Sequence, residues 1–167
     1  PDNKLYVSVG SSCNACVEKE KIRASIISMN PEGTDQKEFS RGLRNAVGLR
    51  AIGKFVFATN QGSDHLGLTK PDETFYALKE GADYGWPYCH SSNGKIFADP
   101  KIKRPGGCAN VVAPYAFFPS RSSANSFVSV AIASAIRRGS AKSVQTLSFP
   151  RAYCWARSSA SCRSRIW

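Results

Sequence analysis

The first 118 or so residues read as an all-β fold, and three observations carry that reading. Apolar and polar residues alternate over short runs, beginning with Leu5-Tyr6-Val7-Ser8-Val9 and ending at Gly10, the pattern of a half-buried strand. Turn chemistry recurs between the runs, as in Asn30-Pro31-Glu32-Gly33-Thr34-Asp35, with proline early and glycine late. No segment up to residue 99 sustains a helical period. Short strands at regular spacing admit a sandwich, a barrel or a propeller.

The elements follow in order. Pro1-Asp2-Asn3-Lys4 reads as the turn before a strand and not as a natural amino terminus, so the chain is expected to begin within a fold. Residues 5–10 form the first strand, and the loop at 11–23 carries a Cys-x-x-Cys pair. A second strand is expected at 23–29, with 36–40 returning as its hairpin partner across the turn at 30–35. Residues 47–52 and 54–59 make two short strands around Gly53. Another lies at 74–78, followed by the turn Glu80-Gly81-Ala82-Asp83. Residues 88–115 are loop-like, with Ser91-Ser92-Asn93-Gly94 and Pro105-Gly106-Gly107.

Charge divides the chain. The net charge is +11, yet residues 1–99 hold 12 Lys/Arg and all 12 Asp/Glu and so sum to zero. The other 11 basic residues lie in 101–165. Beyond about Phe118 the composition shifts to Ser, Ala and Arg, and residues 128–136 are the one continuous apolar run there. Residues 1–118 are therefore taken as the domain, and 119–167 as a basic segment that matches nothing. It is either a flexible tail touching anionic surfaces or, as favoured here, an out-of-frame read-through. The basic residues lack interleaved aromatic stacking platforms, which argues against a specific nucleic-acid binder. No apolar run approaches the ~20 residues that span a bilayer, and no basic-then-apolar signal segment leads the chain.

Six cysteines point to oxidising surroundings. Cys13 and Cys16 are open to three readings: a local disulfide, a redox motif or half a metal site. The charged run Glu18-Lys19-Glu20-Lys21 does not look like the helix a redox motif would open. Cys89 and Cys108 flank a polar loop and could close it. Cys154 and Cys162 have no assignment.

The richest chemistry lies at 42–87, where loops between strands carry a guanidinium, amides, carboxylates and glycines. Leu5-Tyr6-Val7-Ser8-Val9-Gly10-Ser11-Ser12-Cys13-Asn14, Gly42-Leu43-Arg44-Asn45, Asn60-Gln61-Gly62, Pro71-Asp72-Glu73 and Tyr84-Gly85-Trp86-Pro87-Tyr88-Cys89 occur in that order. Together they resemble the soluble pyrroloquinoline quinone (PQQ)-dependent glucose/sorbosone dehydrogenase family. The resemblance implies a six-bladed β-propeller, of which residues 1–118 would supply about two blades. It implies oxidation of a sugar or related alcohol or aldehyde, with PQQ and calcium, in the periplasm or outside the cell.

Residue roles follow by resemblance. Arg44 and Asn45 match the pair that contacts the quinone, where a planar cationic fork suits carbonyls and carboxylates. The bland alternative pairs Arg44 with a surface acid and lets Asn45 cap a turn. Gly62 and Ser63 match main-chain ligands of the calcium that meets the cofactor; Asp72, with the carbonyls of Glu73 and Tyr84, matches a second, structural calcium site. The alternative for Asp72 is a solvated acidic turn. Tyr84 and Trp86 are expected to pack, not to stack on cofactor. The family's histidine base lies before the strand at 5–10, so it is expected outside this chain, and neither His65 nor His90 replaces it. The chain would then be an inactive fragment of a quinoprotein; a noncatalytic propeller-like binding module is the other reading.

Overall fold

The computed structural model describes residues 2–126. The apolar run at 128–136, Cys154, Cys162 and most of the proposed tail lie outside the described residues. Strands β1 (Leu5–Val9), β2 (Ser25–Met29), β3 (Lys37–Arg41), β4 (Leu49–Ile52) and β5 (Phe55–Asn60) come first. A 3-10 turn (Asp64–Leu66) precedes β6 (Glu73–Leu78), β7 (Ala82–Asp83), β8 (Cys89–Ser92), β9 (Lys95–Ala98) and β10 (Ala116–Phe118). The architecture is all-β, as the sequence predicts.

Two four-stranded sheets result, in the orders β1-β2-β3-β7 and β10-β6-β5-β4, with β8-β9 as a separate hairpin. Neighbours are antiparallel except β3 and β7, which run parallel where Ser40 meets Ala82 and Arg41 meets Asp83. Each sheet has the strand number of one propeller blade.

Apolar alternation explains the packing. In β5, Val56 and Ala58 point to one face and Phe57 to the other, and all three are buried. Val56 and Ala58 join Ile26, Leu43, Ala46, Tyr76, Leu78 and Tyr84 in a core shared by both sheets. Phe57 stacks on Phe75 with ring centroids 5.7 Å apart, forming a second cluster with Ile52, Ala77, Ala116 and Phe118. A strand buried on both faces must satisfy its polar residues internally. Thr59 accordingly accepts the Gly48 N–H through Oγ1 at 2.9 Å.

Three expectations need correction. The strand expected from residue 23 begins at Ser25, because Ala24 has φ 53°, outside the extended region. The turn at 80–83 ends as strand β7, too short for any periodicity to reveal it. The loop-like stretch at 88–115 contains the β8-β9 hairpin. Its turn is Asn93-Gly94, with φ 50° and 71°, the geometry and sequence of a type I′ turn. The polar strand Cys89–Ser92 hid it.

Residues 119–126, beyond the boundary drawn at 118, remain against the domain. Asn125 Oδ1 accepts from Gln61 Nε2 at 2.6 Å, and Arg121 lies 3.6 Å from the Asp64 carboxylate.

Candidate functional site

Arg44 and Asn45 lie in the connection from β3 to β4, and Gly42 lets the chain enter it. Gly42 has φ 77°, and a Cβ there would meet Gly85 N at 2.5 Å and Asp83 Oδ1 at 2.6 Å. Two segments, around Ser11 and at Asn60-Gln61, then lock the connection in place. Ser11 N–H donates to Arg44 O at 2.8 Å, Gln61 N–H to Asn45 O at 2.9 Å, and Asn45 N–H to Asn60 Oδ1 at 3.1 Å. Asn45 Nδ2 donates to Gln61 Oε1 at 2.9 Å.

The Arg44 guanidinium touches only neutral oxygens. Nε donates to Asn14 O at 3.1 Å, one terminal nitrogen to Asn14 Oδ1 at 3.1 Å, and the other to Gly62 O at 2.9 Å. A guanidinium has five N–H groups, so two remain uncommitted. Among the described residues no carboxylate lies within ion-pair distance. The surface-acid alternative is therefore not what the fold builds.

Gly62 joins the segments matched to the two calcium sites. Its Cα lies so near Pro71 that an added Cβ would be 2.2 Å from Pro71 Cγ. Gly62 N–H donates to Glu73 Oε2 at 3.1 Å. Glu73 is only 5% exposed, and burial raises its pKa above the ordinary carboxylate value despite the Gly62 bond and nearby Arg44. The sequence reading assigned only the Glu73 carbonyl; the side chain is the more telling group. Ser63 is buried and precedes the 3-10 turn. Asp72 is half-buried, and its Oδ2 accepts the Gly94 N–H at 3.1 Å.

Arg44, Gly62, Ser63, Asp72 and Tyr84 border one cavity of about 30 Å³, together with Trp86 and His90. Asn45 and Glu73 do not border it. The volume suits a water-sized or ionic guest and falls far below the ~300 Å³ of ligand pockets. Tyr84 packs edge-on against Tyr76 at 4.5 Å and accepts the Lys79 N–H through its hydroxyl at 2.9 Å, so it is a packing residue as expected. Trp86 Nε1 and His90 Nδ1 are buried without a hydrogen-bond partner among the described residues.

The cavity has room for a cation but not for a quinone, which could only lie against its outer border. Gly62, whose carbonyl is shared with Arg44, and Asp72 border the cavity with hard oxygens of the kind calcium takes, while the Glu73 carboxylate stands behind them on the Gly62 N–H. Arg44 offers unneutralised positive charge and spare donors.

Two side chains given no role from the sequence, Asp99 and Asn14, each hold another residue. His65 Nε2 lies 2.6 Å from Asp99 Oδ2, and Asp99 is 1% exposed. Burial alone would raise the Asp99 pKa, but N–H groups of Ile102 and Lys101 and the His65 contact outweigh it and lower the value. Asn14 holds Arg44, and only its place inside Cys-x-x-Cys could have signalled it.

Disulfides form at Cys13–Cys16 and Cys89–Cys108; the first leaves no thiolate for a metal and is the form that a structural link and an oxidised redox pair share. Cys13, Cys16 and Glu18 gather ligand atoms within 4.8 Å, but the sulfurs are bonded to each other and Glu18 accepts from Ser12 N–H and Oγ at 2.6 Å each. Two disulfides fit an oxidising location. Among the described residues no helix is long and apolar enough to cross a membrane.

Neither a family model nor a curated protein matches the sequence. Solved structures do. A Trichoderma reesei enzyme of carbohydrate-active family AA12, in a calcium structure, aligns with TM-score 0.66 at 19% identity, over 74% of this chain and 42% of that one. The PQQ-bound aldose sugar dehydrogenase of Streptomyces coelicolor aligns with TM-score 0.50 at 25% identity, over 71% of this chain and 33% of that one. The soluble aldose sugar dehydrogenase of Escherichia coli, in its apo form, gives 0.51 at 15%, over 71% and 38%. The likeness is one of fold, and it is partial. This chain spans roughly two-fifths or less of each neighbour's length, the share that about two blades of six would take.

Proposed function

We propose that this chain carries one wall of the cofactor site of a PQQ- and calcium-dependent oxidoreductase acting on a sugar or sugar aldehyde, in the periplasm or outside the cell. The observation that carries the reading is Arg44: a half-buried cation ringed by neutral oxygens, with two N–H groups to spare. When bound, the quinone accepts the hydride released by the substrate carbon. Arg44 would hold and polarise an oxygen of that acceptor and stabilise the negative charge that develops there. Asn45, locked to Gln61, would fix the wall beside it.

Gly62 and Ser63 carbonyls, backed by the Glu73 carboxylate, would hold the calcium near the cofactor; Asp72, with the carbonyls of Glu73 and Tyr84, would hold the second. Substrate oxidation also needs a proton acceptor. Neither described histidine is offered for it: His65 Nε2 is committed to Asp99, and both Nδ1 atoms are buried. The chain alone is proposed to bind without turning over.

Titration of the full chain with PQQ, followed by tryptophan fluorescence, tests this. Saturable binding that disappears on calcium chelation is expected. No binding with calcium present would overturn the reading in favour of a noncatalytic propeller-like module.

A further inference from the structure

Arginine is long and carries many rotamers, so a guanidinium presented to a ligand binds well only if something fixes its plane beforehand. In this protein that fixing is uneven. Gly62 O takes a single N–H of Arg44, while Asn14 takes two through two different oxygens, its main-chain carbonyl and its side-chain Oδ1. Two acceptors on one residue, meeting Nε and a terminal nitrogen, define both the direction and the plane of the group.

Asn14 is itself held from several sides. It lies between the paired Cys13 and Cys16, so a covalent link closes the turn that displays it. Ser11 Oγ donates to Cys13 O at 2.7 Å, and Ser12 is tied through N–H and Oγ to Glu18. Asn14 Oδ1 also accepts the Asp64 N–H at 2.9 Å, which fixes its amide orientation, since two donors must face oxygen. One amide oxygen therefore joins the cysteine turn, the Arg44 connection and the loop that follows Gly62 and Ser63.

We propose that Asn14, presented by the disulfide-closed turn, is the positioning residue for Arg44 and thereby sets the affinity of the site for its anionic ligand. The inference rests on the reading of Arg44 as the quinone contact. It adds a role for a residue outside that contact and for the Cys13–Cys16 link.

The test uses the full oxidised chain and two readouts. The first is the rate at which phenylglyoxal, an arginine-selective dicarbonyl, labels Arg44 relative to Arg104, measured by peptide mass spectrometry. Arg104 is tied into a separate network, so general unfolding would expose both arginines and leave the ratio low. Asn14→Ala is expected to raise the ratio at least about fivefold, and the paired change Cys13→Ser with Cys16→Ser to raise it as well. Asn14→Asp keeps an acceptor at Oδ1 and adds a charge that pairs with Arg44, so the ratio should return to the wild-type value or fall below it. An unchanged ratio in Asn14→Ala, or no rescue by Asn14→Asp, overturns the proposal.

The second readout is the dissociation constant for PQQ with calcium, expected to rise about tenfold in Asn14→Ala. A raised labelling ratio with unaltered affinity overturns the claim that Asn14 governs binding. Should the wild-type chain bind no PQQ at all, the quinone reading falls, and the labelling ratio still decides whether Asn14 positions Arg44.

Discussion

Two arginine corners meet at Gly42, and they are built on opposite principles. At one, Arg104 lies 2.6 Å from Asp83 Oδ2, donates through Nε to Gly107 O at 2.9 Å, and covers the Tyr88 ring at 5.3 Å. Asp83 also bonds Gly85 N–H at 2.8 Å and lies 3.8 Å from Arg41. With Glu38 3.7 Å from Arg41, that corner sets two carboxylates against two guanidinium groups and is closed. At the other, Arg44 meets only carbonyl and amide oxygens, and its charge is left for something else. An arginine paired with a carboxylate spends its charge inside the scaffold, whereas one held by neutral acceptors keeps it, and the proposed role of Arg44 draws on that difference. The bland sequence reading of Arg44, a surface pair with an acid, describes Arg104 instead.

The contrast can be broken at both corners together. Gly42→Ala places a Cβ against Gly85 N and Asp83 Oδ1 at a φ that alanine disfavours. Strain and overpacking should cost roughly 3 kcal/mol, read as a lower urea midpoint with an unchanged slope. Retention of wild-type stability would show that the two corners do not share this hinge.

Arg104→Ala should break the closed corner alone. Its partly buried pair with Asp83 is expected to contribute about 1–2 kcal/mol, again measured by urea unfolding, with PQQ affinity untouched. Lost affinity in that variant would erase the distinction between the corners.

Acid should weaken the wall next to the open corner. Burial lowers the His90 pKa below the ordinary 6.5, with Asp99 opposing. The unfolded chain then binds the proton first, so stability falls as pH drops through about 6.5 and continues to fall until folded His90 also titrates. Urea midpoints at pH 7.5 and 5.5 should differ in that sense, and His90→Gln should narrow the gap. Lys37 and Glu80 mark the small end of the scale. Their pair is more than half exposed on average, so Glu80→Ala should leave the urea midpoint within error of the wild-type value.

The fold was legible where chemistry and period agreed. Strand β1 showed in alternation, β2 to β6 as short runs between turn residues, and the turn at Asn30 in its proline and glycine; Gly33 there has φ 80°. The β8-β9 hairpin was missed because strand Cys89–Ser92 is polar, although Asn93-Gly94 is a strong hairpin signal. Strand β7 is two residues pairing with β3, a long-range partnership that no local pattern encodes. At the site, Arg44 and the Gly62 loop could be picked out by resemblance, and the structure gathers Arg44, Gly62, Ser63, Asp72 and Tyr84 around one cavity. Asn14 and the Glu73 side chain could not be, since each acts through a partner 11 or more residues away.

The most direct measurement is PQQ titration of three versions of this chain at saturating calcium: wild type, Arg44→Ala and Arg104→Ala. Loss of charge-assisted hydrogen bonds predicts about a 100-fold weaker dissociation constant for Arg44→Ala, with wild-type affinity in Arg104→Ala. Equal affinity in Arg44→Ala and wild type would contradict the account.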